Sequence, residues 1–476
     1  MPSNEMLAPH PLSSSIPHKG ASMDSVEAMI HKQMAGDVPP SRDLGRFTTT
    51  KHDDTATRLF NVGNSRNQAC IEEYPSIASF QTECVSIIAG LWNAPSTGFM
   101  GTATTGSSEA VLLGGLTMKR QWQIKQPDVL NSRPNVIIGA NAHICVNKFA
   151  GYFNVEARIV PVSESTGFAV DADALRNMLD ENTVGVFLTL GSTYTGHYDP
   201  IQRIANILDD YENRTGHDIP IHVDAASGGF VAPFTPSNET FIWDFRLPRV
   251  QSINASGHKY GMAPLAVGWM VWRDKSKIPQ ELLLESSYLR GSHTNFSLSF
   301  SRSGAPIVGQ YYNFHRLGLA GYRERVQTMM SRANLLGTRL EDTGYFSCLA
   351  DSRRLVSHKA NEINTRCQEC RCAETPELPI VVFGFSEHVL TLYPKLRLSD
   401  VSNAMHDLKF SIPSKSIDSN FIYFQANSMS GYTLAGWGAQ GEDIDIMRVV
   451  LRDEMTIEAL GEVLTGLTHA VEYLIR

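Results

Sequence analysis

The chain reads as an α/β protein, with a large, mostly parallel sheet covered by helices on both faces and a smaller C-terminal α/β domain after it. Three observations predict this. Short β-branched apolar runs recur between 135 and 272 with helical stretches between several of them, and strands apolar along their whole length are those buried on both faces. Near Gly309 the character changes to long helical segments with isolated strands at 378–385 and 445–451. The composition is globular, with 476 residues of which 42% are hydrophobic and 19% charged.

The elements follow in order. Residues 1–25 are rich in Ser, Pro and His without periodicity and are expected to form a disordered arm. An N-terminal segment covers 26–75, the large domain 76–310 and the small domain 311–476. Residues 77–92 place apolar side chains at helical spacing, and a Gly/Thr-rich turn follows. Strands are expected at 135–139, 157–162, 183–190, 219–224, 250–254 and 267–272, and helices at 310–317 and 323–340. Thr456 caps a last helix whose apolar positions 457, 460, 463, 464, 467, 471 and 474 share one face.

Charge and hydropathy exclude several classes of partner. With 41 basic against 49 acidic residues, a formal charge of −8 and no basic run, neither nucleic acid nor an anionic membrane surface is expected to bind. The longest apolar runs are strand-sized, so no membrane span is expected, and the N-terminus lacks a signal-peptide pattern, which predicts a cytoplasmic protein. Seven cysteines, an odd number spread along the chain, fit reduced thiols. Cys367, Cys370 and Cys372 have CxxC spacing but no second ligand pair, so no metal site is expected.

Three segments carry chemistry. Thr104-Thr-Gly-Ser-Ser-Glu-Ala110 is a Gly/Ser turn entering a helix, whose free N–H groups and positive dipole end suit a phosphate. His222-Val-Asp-Ala-Ala-Ser-Gly-Gly-Phe230 ends a buried strand with Asp224, followed by small residues that admit a flat ring. Asn254-Ala-Ser-Gly-His-Lys-Tyr-Gly261 puts Lys259 in a Ser/Gly turn just after a strand, where a lysine of depressed pKa forms an imine with an aldehyde. Taken singly, each has a plainer explanation: a Ser-capped helix, a turn-capping Asp, a surface lysine. Together they make a phosphate cup, a carboxylate for a ring nitrogen and an imine-forming amine, the set that pyridoxal phosphate (PLP) requires.

These segments, with Glu73-Tyr-Pro75, Thr193-Tyr-Thr-Gly196, Trp243-Asp-Phe-Arg-Leu-Pro-Arg-Val250 and Phe300-Ser-Arg302, closely resemble glutamate decarboxylase, a group II PLP-dependent decarboxylase family. The resemblance spans about 25–345 and resumes near 437–475. It implies the PLP-dependent transferase-like fold type I, a homodimer or larger homo-oligomer with shared active sites, and decarboxylation of an amino acid, giving 4-aminobutanoate if the substrate is glutamate. By the same resemblance Lys259 holds PLP, Asp224 pairs with the ring nitrogen, and Ser107 and Ser108 bind the phosphate, with Ser301 reaching it from the neighbouring subunit. Ser256 and His258 add contacts, His143 stacks on the ring, Thr193 lies beside it and Ala226 beneath it. The segment 26–75 then contributes to the dimer and the substrate pocket, where Arg46, Phe47, Asn67 and Arg448 are the substrate-binding candidates. Lys259, His258 and Tyr288 are the catalytic candidates, Tyr288 supplying or gating a proton from a loop. The chain departs from the family at Arg46, in place of the usual Thr, at Cys70, in place of Asp, at Arg290, in place of Gly, and over 350–435. A different amino acid substrate, or PLP binding without catalysis, are the competing expectations.

Overall fold

The apolar runs lie side by side because most of them carry apolar side chains on both faces. In a computed structural model, which describes residues 14–35, 37, 40, 43–126, 133–286, 293–349, 377–408, 432–434 and 443–476, they form a seven-stranded sheet. Its strands are β1 (Met100–Thr104), β2 (Asn135–Gly139), β3 (Glu156–Val160), β4 (Thr183–Thr189), β5 (Ile221–Asp224), β6 (Val250–Ser256) and β7 (Gly268–Trp272), in the order β1-β7-β6-β5-β4-β2-β3. The five strands β6-β5-β4-β2-β3 run parallel, while β7 is antiparallel to both β1 and β6.

Alternate side chains fill two cores. Ile137, Val186 and Leu188 join one, whereas Val136, Ile138 and Phe187 join the other with Val111, Met118 and Phe149. The latter three belong to α4 (Ser107–Lys125) and α5 (Ile144–Tyr152). The opposite core takes in α3 (Pro75–Leu91) and α7 (Ile201–Thr215), with the short α6 (Ala172–Arg176) between β3 and β4.

Strand β1 occupies what reads in the sequence as a Gly/Thr turn. Its Gly101 is needed there, since a Cβ would stand 2.5 Å from Val85 and 2.8 Å from the Met270 carbonyl oxygen. The hairpin β8 (Leu284–Ser286) and β9 (His293–Asn295) follows the sheet.

The two helices expected after Gly309 are one long element, α8 (Ala305–Asp342), interrupted at Gly318, whose φ of 58° only glycine adopts freely. It packs on α2 (Asp54–Asn64) and α3 and reaches a second sheet, β10 (Phe346–Cys348), β11 (Ile380–Phe385), β12 (Tyr432–Leu434) and β13 (Ile444–Val450). This sheet is antiparallel, in the order β10-β11-β13-β12, so the expected isolated strands β11 and β13 pair directly. Helices α9 (Glu387–Leu392), α10 (Leu398–Leu408) and α11 (Ile457–Leu474) complete this part, and Thr456 caps α11 by accepting from the Ala459 N–H at 3.2 Å.

By contacts the chain divides into residues 1–40 and 41–476. The first unit holds α1 (Met23–Met34), which begins inside the stretch expected to lack structure because Ser22 caps it and Asp24 lies in its first turn. No helix among the described residues is long and apolar enough to cross a membrane.

Candidate functional site

The carboxyl ends of β4, β5 and β6 meet at one edge of the large sheet, where the side chains singled out in the sequence converge. Asp224, the last residue of β5, is buried, and its Oδ1 accepts from the Ala226 N–H at 3.1 Å and from Asn254 Nδ2 at 2.9 Å. Lys259 lies in the turn after β6 and donates from Nζ to Ser227 Oγ at 3.2 Å. Burial pushes its ammonium pKa down, against the pull of Asp224, and the Arg448 guanidinium lowers it further.

The segment expected to form a phosphate cup is the first turn of α4. Ser107 Oγ accepts from Ser256 Oγ at 2.8 Å, which ties the cup to the end of β6, and Ser108 is exposed beside it. Gly268 brings β7 against the cup, since a Cβ there would stand 2.4 Å from the Gly106 carbonyl carbon. Glu109 closes the turn: Oε2 accepts from the Thr105 N–H and hydroxyl at 2.7 and 2.9 Å, and Oε1 accepts from Ser297 Oγ and the Leu298 N–H. Burial opposes ionisation of Glu109, but the hydrogen bonds from Thr105 and the nearby Arg302 carry its pKa below the usual carboxylate value.

His143 caps α5, its Nδ1 accepting from the Cys145 N–H at 3.2 Å, so the neutral ring carries its proton on Nε2. Burial lowers its pKa and keeps it neutral. His258 donates from Nδ1 to the Val267 carbonyl at 2.8 Å, and burial followed by the Lys259 charge brings its pKa down to about 4. Thr193 sits in the turn after β4, and Ala226 is half-buried two residues past Asp224.

The opposite wall comes from far along the chain. Residues 43–50 form a strap whose Thr49 donates N–H to the His258 carbonyl at 2.9 Å and its hydroxyl to the Lys259 carbonyl at 2.8 Å. Strand β13 and the turn after it hold the strap's other side: Arg448 donates to the Gly45 carbonyl, Val450 N–H to that of Leu44 and Arg452 to that of Asp43. The buried Phe47 ring lies between, its centroid 5.2 Å from Lys259 Nζ and 5.0 Å from Arg448 Cζ.

Not every predicted residue joins this cluster. Arg46 turns outward onto Asp43 at 2.6 Å, with 72% of its side chain exposed. Asn67 donates to Ser301 Oγ at 3.0 Å, and the two make no hydrogen bond to the Lys259 cluster among the described residues. Tyr288, Arg290, Cys367, Cys370 and Cys372 lie outside the described residues. Among the described residues no group of three His, Cys, Asp or Glu side chains could hold a metal ion. Conversely, sequence reasoning missed Thr49, Glu109, Ser227 and the pair His222 and Asn254. Only the last pair left a signal, polar residues at period two in otherwise apolar strands.

The donor set fits PLP. A helix N-terminus with two hydroxyls suits a phosphate, Asp224 has an acceptor oxygen, Oδ2, without a hydrogen bond among the described residues, and Lys259 is an amine of lowered pKa. Comparison with known proteins agrees. Residues 61–359 match the pyridoxal-dependent decarboxylase conserved domain. The chain is 33% identical to a glutamate decarboxylase of Saccharomyces cerevisiae, an alignment covering 96% of this chain and 80% of that one. It is 41% identical to a glutamate decarboxylase of Aliivibrio fischeri over 68% of this chain and 70% of the other. The solved structure of Lactobacillus brevis glutamate decarboxylase superposes with a TM-score of 0.82 at 30% identity, covering 98% of this chain and 96% of that one. The chain therefore belongs to the pyridoxal-dependent decarboxylase family, a carboxy-lyase whose cofactor is PLP.

Proposed function

We propose that the protein decarboxylates L-glutamate to 4-aminobutanoate and CO₂. The observation that carries this reading is the seating of Lys259 and Arg448 against one Phe47 ring, an amine and a carboxylate-binding fork side by side. When bound, PLP supplies an electron sink for the pair released as CO₂ departs.

The chain's own residues do the rest. Lys259 Nζ would hold the cofactor through its aldehyde group, and Asp224 would keep a proton at the ring nitrogen. Arg448 grips the α-carboxylate. His143 offers the face of a neutral ring, because its Nδ1 is engaged by the Cys145 N–H. His258, neutral and anchored through Nδ1, keeps Nε2 as the atom able to take up a proton. Tyr288 is the candidate proton donor. Arg46, largely exposed with its guanidinium on Asp43, takes no part in this cluster.

In a homodimer, the exposed Ser301, hydrogen-bonded to Asn67 in its own chain, is the residue that would reach the phosphate of the neighbouring subunit. We keep the boundary between a PLP-binding domain and a small domain near residue 310, which lies inside the first turns of α8 (Ala305–Asp342).

The test is CO₂ release by the PLP-loaded protein from glutamate, aspartate and aromatic amino acids, with the amine products identified. Glutamate is expected to dominate. Inert glutamate beside another reactive amino acid would overturn the substrate, and no release from any amino acid would overturn the activity.

A further inference from the structure

Behind Asp224 a line of buried polar side chains crosses the large sheet. His222 and Asp224 lie on one face of β5, Ser252 and Asn254 on the matching face of β6, and the strand register sets His222 beside Ser252 and Asp224 beside Asn254. His222 and Asn254 have no exposed surface. Ser252 Oγ meets His222 Nδ1 at 2.7 Å, His222 Nε2 meets Asn254 Oδ1 at 2.7 Å, and Asn254 Nδ2 meets Asp224 Oδ1 at 2.9 Å.

Only one arrangement of protons serves all three bonds with a neutral ring. An ionised Asp224 can only accept, so Asn254 turns its NH₂ to it and its carbonyl to His222. His222 then carries its proton on Nε2, and Nδ1 accepts from the Ser252 hydroxyl. Every link donates towards Asp224, and a chain of this sense is polarised by the charge at its end. Burial brings the His222 pKa down to about 4, which keeps the ring neutral. The ring is also fixed in place. A Cβ at Gly114 of α4 would stand 2.6 Å from Nδ1, and the Phe187 ring meets it edge-on at 5.0 Å.

We propose that His222 is a positioning residue for the cofactor: through Asn254 it fixes the Asp224 carboxylate with Oδ1 engaged, and so directs Oδ2 to the ring nitrogen of PLP. The inference rests on the assignment of Asp224 made above. A hydroxyl and an imidazole in the middle of an apolar sheet cost stability unless every donor and acceptor is met. Here each link is met, and the line ends on the group that would pair with the cofactor.

The test measures the affinity of the apoprotein for PLP and the pH dependence of the bound cofactor's absorbance. His222→Leu removes the donor at similar bulk, while His222→Gln keeps an N–H near the Nε2 position. Loss of a hydrogen bond that supports a buried charge predicts PLP binding weakened about tenfold or more in His222→Leu, with a shifted absorbance profile, and restored to within about threefold in His222→Gln. Unchanged affinity and profile in His222→Leu, or equal weakening in both variants, would overturn the proposal. If His222→Leu does not fold, judged by melting of the apoprotein, Ser252→Ala decides: about threefold weaker binding supports the relay and unchanged binding refutes it. Asp224→Asn separates the two levels. If it leaves PLP binding intact, the assignment of Asp224 fails and the relay with it. If it weakens binding while His222→Leu does not, the relay alone fails.

Discussion

Asp224, Asn254 and Ser256 owe their positions to strand register. They stand at the carboxyl ends of two neighbouring parallel strands, and a shift of one residue in either would turn each side chain to the other face. Phe47, Thr49 and Arg448 are held differently. They reach Lys259 because the strap 43–50 is stitched to the His258–Lys259 turn on one side and to β13 on the other. The proposed cofactor wall is thus part of the core of one sheet, while the proposed substrate wall is an assembly of distant segments held by backbone hydrogen bonds. Arg46 and Cys70, the departures that the resemblance implies, both lie in the N-terminal segment.

The largest effect that sharpens this contrast belongs to Asp224. Asp224→Asn keeps the shape and removes the charge, and kcat is expected to fall by about 10²-fold or more, measured as CO₂ release at saturating PLP. Retained kcat would detach the sheet wall from the chemistry. Next comes Phe47→Ala, which leaves a cavity between Lys259 and Arg448 and is expected to lower unfolding free energy by about 3 kcal/mol in denaturant titration. A change under about 1 kcal/mol would mean that the strap does not need its ring.

A third effect concerns pH. His222 and His258 have folded pKa values of about 4 against 6.5 in the unfolded chain, so the unfolded state binds more protons between those values. Stability of the apoprotein is therefore expected to be unaffected by these two groups above pH about 6.5 and to fall as pH drops towards 4, by about 1.4 kcal/mol per unit for each histidine. His222→Gln should remove one histidine's share of the slope. An unchanged slope would show that His222 titrates normally. The smallest effect is that of Arg46→Ala, an exposed ion pair whose loss is expected to cost less than about 1 kcal/mol and to change KM for glutamate by less than about threefold.

The same contrast explains what the sequence reveals. The strands from β2 to β7 were legible because apolar β-branched runs have few other places to go, and the cup, Asp224 and Lys259 because each sits in a short run of small residues at a strand end. Strand β1 was not, since Gly101 and its threonines read as a turn and become a strand only by packing on Val85 and β7. His222 shows no role in the sequence, because its partners Ser252 and Asn254 lie 30 and 32 residues away and meet it only through strand pairing. The strap's place in the pocket is expected only from the family resemblance and not from the residues themselves, because its hydrogen bonds cross about 210 and 400 residues of chain and use backbone carbonyls that any residue could supply.

The most direct test of the two-wall account is Arg448→Lys, with PLP affinity and glutamate KM measured on the same preparation. Lysine keeps the charge and loses the planar fork. The account predicts KM raised about tenfold with PLP affinity within about twofold of the original, because Arg448 lies in the substrate wall and lysine keeps the charge that Lys259 feels. PLP affinity weakened as much as KM is raised would contradict it, by showing that the strap and the sheet form a single site that cannot be altered in parts.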